Sequence, residues 1–421
     1  MRVRKTFWVL LILLLISYLA GKQLEYFLLD RLIYTILVVI LIAWFWARTS
    51  LNGLIFNRLA RSFRKETGEI FEERFRIENN SRYLKSWIEI VDHSQLPGNH
   101  GSRIMAWVGK NELRNYSAYT MLKQRGKYNL FPTIVKSGDP FGLFEIEKQI
   151  TTQQTLIVIP HHDKIFSFPL PAGYLPGGKS IRKKTTAITP HAAGIREHLP
   201  GDSLNRIHWK KTAQRGILIS KEFEEDPQSD VWIIVDSQIS AHSTTKQAED
   251  ENENNPLWSF KQKGTYKIPQ SSFEYAVSIA ATLADYFIRK GQGVGFHSYG
   301  KTSTILPPEK GYRQYQKIVE TLAFVQADGD CSIETGVTGH VQQILPGSLV
   351  ILIGTELSDG IVPAAEYFKL RRIAPFVIIL DNNTFLSDIN NIPHIEFELE
   401  HIGIANKVIK FGDLLPDKLQ N

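Results

Sequence analysis

Two apolar runs open the chain. Thr6 to Gly21 reads TFWVLLILLLISYLAG without a charge, and Leu32 to Ala47 reads LIYTILVVILIAWFWA. A bilayer span takes about 20 residues, so each run is slightly short. The second lengthens by recruiting Leu24 and the apolar stretch from Tyr26 to Leu29, which leaves Asp30 and Arg31 near the interface. Trp8, Tyr18, Tyr26, Trp44 and Trp46 mark the ends as an aromatic belt does. Tyr18-Leu19 before Ala20 lacks the small-residue cleavage pattern of a secretory signal. The pattern therefore predicts two N-terminal transmembrane helices, a hairpin over residues 1–52. Arg2, Arg4 and Lys5 precede it; Arg48, Arg58, Arg61, Arg64 and Lys65 follow. In the loop, Lys22 and Arg31 are balanced by Glu25 and Asp30. The positive-inside bias then places both termini and the remaining chain on the cytoplasmic side of the cell membrane.

From Gly68 the period changes to two. In EIFEERFRIENNS, Ile70, Phe71, Phe75 and Ile77 alternate loosely with Glu72, Glu73, Arg74 and Arg76. YLKSWIEIVDHS, SRIMAWVG, two strands around Arg125-Gly126, and TLIVIP continue the series. Short strands parted by Gly, Asn and Pro turns predict an all-β, sandwich-like module over 53–162. SGDPFGLF, residues 137–144, reads as a turn that docks Phe141 and Phe144. A Gly-Pro linker is expected over 163–193.

Beyond residue 230 the pattern alternates between apolar strands and amphipathic helices. VWIIVD (231–236), VGFHSYG, SLVILIG and FVIILD (376–381) suit buried strands; FEYAVSIAATLADYFIRKG, YRQYQKIVETLAFVQ and AAEYFKLRR suit helices. STILPP fits a hairpin mate, GHVQQIL a further helix, HIEFELE and ANKVIKF edge strands. Such alternation predicts a doubly wound α/β sheet. Residues 241–270 form a polar insertion, with Trp258 and Phe260 its obvious anchors.

Composition narrows the classes. Of 421 residues, 43% are hydrophobic and 22% charged, enough for a core. The net charge of +6 is concentrated in the first 65 residues, beside the apolar runs, so it does not indicate nucleic acid. A single cysteine, Cys331, excludes an internal disulfide framework and a Cys-rich zinc site.

Gly173 to Ser180 reads GYLPGGKS and fits the phosphate-binding loop pattern, with Lys179 in the lysine position. A working loop leaves a strand directly and opens a helix. Here TLIVIP ends at Pro160, Pro169 and Pro171 intervene, and Pro190 cuts the following segment. A nucleotidase using Lys179 is the weaker reading.

Gly194 to Asp226 reads GIREHLPGDSLNRIHWKKTAQRGILISKEFEED. Pro200-Gly201 makes a turn, Asp202 suits the N-cap of a helix from Ser203, and Gly216 suits its stop. A hydrolase reading would pair His208 with Asp202 as base and orienter. No nucleophile stands out, so an ion-pair network is the simpler expectation and no catalytic residue is assigned.

These residues resemble a bacterial and archaeal family known as domain of unknown function 58. The matching elements are Arg196, Pro200-Gly201-Asp202, Arg206-Ile207-His208-Trp209-Lys210, Ala213-Gln214-Arg215-Gly216-Ile217-Leu218 and Glu222-Phe223-Glu224. RGKYNLF and DPFGLF upstream also match the family's habit. The resemblance implies a von Willebrand factor A-like domain within 194–421, and a MoxR-type AAA+ ATPase as protein partner beside the lipid bilayer. It implies membrane or envelope complex assembly as the setting. Such domains often hold Mg²⁺ through D-x-S-x-S; here Asp236 and Ser240 match, but Gln238 replaces the first later serine. Thr355, Glu356 or Asp359 would have to complete that set. The resulting expectation is a non-enzymatic, membrane-anchored interaction module.

Overall fold

The computed structural model describes residues 1–24, 27–98, 101–151, 153–171, 184–185, 192–199, 202–224, 230–243, 266–301, 303–340, 343–385 and 395–420. Two compact units emerge. One is built on Met1–Ile159, the other on the described residues of Pro160–Asp250 and Lys267–Asn421.

The first unit begins with helices Lys5–Leu24 and Phe27–Ser50. Within the second helix, Leu29–Ser50 is 22 residues long with a mean hydropathy of 2.0, long and apolar enough to cross a membrane. Lys5–Ala20 is apolar but shorter. After a three-residue turn the chain enters three sheets. Strands Leu54–Ala60, Ile70–Asn79 and Leu113–Met121 form one. Lys85–Asp92, Arg103–Val108, Thr133–Gly138 and Phe144–Ile150 form another, to which Arg2–Val3 adds an edge. A third pairs Arg64–Glu66, Thr155–Ile159 and Gly126–Asn129. The period-two alternation makes the sandwich. Phe75, Ile77, Tyr116 and Ala118 of the first sheet pack on Ile88, Ile90, Met105 and Val135 of the second.

The 137–144 turn is held by Asp139, whose buried carboxylate accepts hydrogen bonds from the amides of Phe141, Leu143 and Phe144. Phe144 docks against the helices beside Phe7, whereas Phe141 is 54% exposed, so only one of the two expected anchors is used. Arg58 also departs from expectation. It is no free flanking charge but is buried between Glu73 and Asp92, with Nε 2.6 Å from Glu73 and Nη1 3.0 Å from Asp92.

Lys85 ties the helices to the sandwich. Its Nζ donates to the carbonyls of Thr49 at 2.7 Å and Asn52 at 3.0 Å at the helix end, where Thr49 also accepts the Asn52 amide at 3.2 Å. Lys85→Met should cost about 1–3 kcal/mol, through the loss of both bonds and the Asn52 carbonyl left without its donor. Burial lowers the Lys85 ammonium to about 8. From there to the unfolded value of about 10.4, the unfolded chain holds a proton that the folded one has released. Stability therefore rises with pH across that window, and denaturation of Lys85→Met in detergent should show that rise abolished.

In the second unit six strands lie in the order Ser303–Glu309, Val294–Tyr299, Val231–Val235, Leu349–Thr355, Ala374–Leu380 and Ala405–Ile409. All neighbours are parallel except Ser303–Glu309, which returns antiparallel as a hairpin. Helices Ser272–Arg289 and Tyr312–Phe324 pack together, the first lying on the sheet; Ile333–His340, Ile361–Leu370 and Glu396–Ile402 belong to the other layer. Every residue of Val231–Val235 is buried, which explains its unbroken apolar run.

HIEFELE does not supply an edge strand. Glu396–Ile402 is a helix that buries Leu399 and packs Ile395 and Ile402 beside it, a spacing of four and three. Residues 163–171, at the start of the expected linker, lie on the second unit. Ile165 and Phe168 are buried, and the Phe168 ring meets Phe287 and Phe376 at centroid distances of 5.7 and 4.8 Å. GYLPGGKS, Trp258 and Phe260 lie outside the described residues.

Candidate functional site

The strand order runs outward in both directions from the boundary between Val231–Val235 and Leu349–Thr355. That boundary is the topological switch point, where open α/β sheets place ligands beyond the carboxyl ends of their strands. Asp236, Thr355 and Asp381 stand at those ends. Asp236 is fully buried; its Oδ1 accepts the Gln238 amide at 2.9 Å. His242 lies beside it, with Nε2 2.9 Å from the Asp236 carbonyl and Nδ1 3.2 Å from Ser272 Oγ. A carbonyl can only accept, so Nε2 carries the proton. Burial lowers the His242 pKa, only partly opposed by Asp236, and keeps the ring neutral.

The residues do not make up a magnesium site by themselves. Ser240 is exposed, and Ser237 is bonded to Ser298 Oγ at 2.7 Å. The Thr355 hydroxyl donates to the Ala241 carbonyl. Gln238 occupies the space between loops, its Nε2 3.4 Å from Asp359. Among the described residues no three His, Cys, Asp or Glu side chains cluster as metal ligands. Asp236 Oδ2 and Gln238 Oε1 are buried acceptors without a hydrogen-bond partner among the described residues.

The motif residues form a separate strand–turn–helix. Ala192–Glu197 and Lys184–Thr185 both pair with Ile219–Glu224 in a small antiparallel sheet. Between the two longer strands lie a 3₁₀ turn, Leu204–Arg206, and a helix, Trp209–Arg215. Asp202 is not the cap foreseen for a helix from Ser203. His208 takes that role one turn later, its Nδ1 accepting from the Lys211 amide at 3.4 Å. Gly216 ends the helix at φ 68°, as its position suggested.

Asp202 instead closes the loop onto the sheet. Its Oδ1 is 2.7 Å from Arg196 Nη2, and its Oδ2 accepts from the Leu199 amide at 3.1 Å and Ser220 Oγ at 3.4 Å. Arg196, then that amide, hold the carboxyl down at about 2. Its folded pKa lies below the unfolded value of about 3.9, so its support is present above about pH 4 and fades as pH falls through 2. Asp202→Asn should mimic that loss at neutral pH, read as faster exchange of the Leu199 amide hydrogen.

His198 and Ser220 join this latch, a pair the sequence reading missed. Their only signal was His198 four residues before Asp202. His198 Nδ1 is 3.0 Å from Ser220 Oγ and 3.9 Å from Asp202 Oδ2. A hydrolytic relay needs serine on one ring nitrogen and carboxylate on the other. Here both meet Nδ1, and Ser220 is buried. The arrangement fixes a loop; His208, the foreseen base, is engaged as a cap.

What the latch displays is unusual. No residue of the Trp209–Arg215 helix is buried. Trp209 is 66% exposed, Lys210 and Arg215 are exposed, and Leu199, Leu204, Ile217 and Leu218 are exposed beside them in sequence. Pro200 and Gly201 lie outside the described residues, as do the side chains of Arg206 and Glu222.

Residues 194–256 match the family described as "Protein of unknown function DUF58". A curated relative, "Uncharacterized protein YeaD" of Bacillus subtilis (strain 168), is 24% identical over 208 residues, 48% of this chain and 44% of its own length. The matched region thus spans less than half of that relative. Among solved structures, proximal thread matrix protein 1 from the mussel byssus aligns over 46% of each chain at 14% identity and TM-score 0.28. The CARDB domain of the PF1109 protein from Pyrococcus furiosus aligns over 25% of this chain and 91% of its own at 9% identity and TM-score 0.18. Those two likenesses are too slight to bear on the fold. The DUF58 match begins within the small sheet and includes the latch and its exposed helix.

Proposed function

We propose that the protein is a membrane-anchored interaction module that presents the DUF58 strand–turn–helix to a protein partner. The observation that carries this reading is the helix Trp209–Arg215, displayed beside a half-buried latch yet burying none of its own residues. Tryptophan and arginine are the side chains most enriched at binding hot spots, and an exposed apolar group rimmed by charge marks an interaction site. The lysines and Arg215 favour an acidic rim on the partner. In this reading the two N-terminal helices form a hairpin, both termini and the folded units are cytoplasmic, and the α/β unit is von Willebrand factor A-like. The antiparallel return of Ser303–Glu309 and the otherwise parallel strand order are compatible with that last assignment. The partner is a MoxR-type AAA+ ATPase, and the work is assembly or maintenance of membrane and envelope complexes.

In this account ATP is bound by the partner. Titration of the purified full chain with Mg·ATP should show no saturable binding. Binding that Lys179→Ala abolishes would place the nucleotide on this chain and overturn the proposal.

A further inference from the structure

The end of the β-sandwich from which the Leu29–Ser50 helix departs carries a ring of loops with an unexpected surface. Asn79 gathers them. Its Nδ2 donates to the carbonyls of Tyr83, Val108 and Gly109, and the neighbouring Asn80 amide donates to Gly53, just beyond the helix. Tyr83 and Leu84 are exposed on one loop beside Arg82. Trp107 is 58% exposed at the end of the strand Arg103–Val108, where the next loop begins with exposed Lys110 close by. Arg114 fixes Trp107 by donating to its carbonyl at 3.0 Å and to that of Ala106 at 2.9 Å, and the residue sits at φ 56°, a conformation uncommon outside glycine. Phe141 is exposed on a third loop, beside the Asp139 turn.

Two of these loops run alongside the helix rather than stopping at its end. The Tyr83 ring meets Phe45 edge-on, centroids 6.2 Å apart. Leu143 and Phe144 pack on Ala43 and Ala47. At 1.5 Å per residue, Ala43 lies roughly 10 Å inside the helix from Ser50. If the sandwich stayed wholly clear of the bilayer, only Leu29–Ile42 would remain to cross it. That stretch is about 21 Å long, against a hydrocarbon core of about 30 Å.

We infer that the loops carrying Tyr83-Leu84 and Phe141, and the strand end carrying Trp107, sit in the lipid interface, a docking surface for anionic headgroups continuous with the membrane-crossing helix. The aromatic rings occupy the level where tryptophan and tyrosine concentrate in membrane proteins, and Arg82 and Lys110 meet the negative surface. Lys85, bonded to the helix end from the root of the first loop, makes the depth of the loops follow from the position of the helix. This inference rests on the membrane-anchored reading and adds a second, peripheral contact to it.

The test uses the full chain with Cys331→Ser, reconstituted in vesicles of phosphatidylethanolamine and phosphatidylglycerol. Single cysteines replace Tyr83, Phe141 or Trp107 and carry an environment-sensitive fluorophore. Gln124→Cys is the control. It lies beyond the opposite end of the ten-residue strand Ile70–Asn79, roughly 30 Å away at ~3.3 Å per residue. Labels at 83, 141 and 107 should emit to the blue of the control and lose most of their fluorescence to lipid bearing a doxyl quencher just below the headgroup. The control should lose little. Labels quenched no more than position 124, in protein that resists carbonate extraction, would overturn the interfacial surface and leave the anchor standing. Release of the protein by carbonate would overturn both.

Discussion

Arg58→Met should destabilise the β-sandwich by about 3–5 kcal/mol, the range seen when one partner of a buried ion pair is removed. Arg58 makes five hydrogen bonds: two to Glu73, two to Asp92 and one to the Leu130 carbonyl. Its partners come from two different sheets and the 130 loop, so the guanidinium bridges elements that otherwise meet through side-chain packing. Methionine fills the space but satisfies none of the acceptors. The loss should depend on pH. Burial raises the Glu73 carboxyl above its ordinary value, and Arg58 pulls it part of the way back. Without Arg58 the folded variant holds a proton that the unfolded chain releases above about pH 4.3. Folded protein then binds more protons than unfolded, so stability falls as pH rises. Chemical denaturation followed by far-ultraviolet circular dichroism in detergent should show a larger deficit near about pH 8 than near about pH 5. A deficit that does not change with pH would mean Glu73 is not the group left exposed to the penalty.

Trp209→Ala should weaken partner binding by about 2 kcal/mol or more, roughly 30-fold, while leaving stability nearly unchanged. The two halves of this expectation come from one fact: the side chain is exposed and belongs to no core cluster among the described residues. A tryptophan that stabilised the fold would show the opposite pattern, with a lower melting temperature and binding reduced only in proportion to unfolding. Asp202→Asn should fall between, since it loosens the latch from which the helix is displayed. Surface plasmon resonance against a purified MoxR-type ATPase, the partner proposed above, with melting curves on the same samples, separates the two contributions.

The elements legible in the sequence are those whose burial has a period. The sandwich strands alternate because one face of each sheet packs inward, and the α/β strands read as unbroken apolar runs because both faces are covered. HIEFELE shows the limit. Phe397 is exposed and Leu399 is buried, so the alternation of letters does not correspond to an alternation of burial. The contacts that fix the sites are long-range and leave no local trace. Arg58 meets Glu73 and Asp92, which lie 15 and 34 residues away, and looked like one more charge after a membrane helix. Lys85 reaches back 36 residues to Thr49. The motif residues were found by resemblance, but their roles were not. Local rules favour Asp202 as a cap, but Arg196 takes its carboxylate instead. The exposed leucines and isoleucines of the motif fit neither period, and that misfit was the available sign of a display surface.

The most direct test is retention of a AAA+ ATPase by the tagged full-length chain, isolated from detergent-solubilised membranes with and without Mg²⁺, in parallel with Trp209→Ala. The account predicts that the ATPase co-purifies with the unaltered chain and is lost from Trp209→Ala. An ATPase absent from both, or held equally by both, would contradict it.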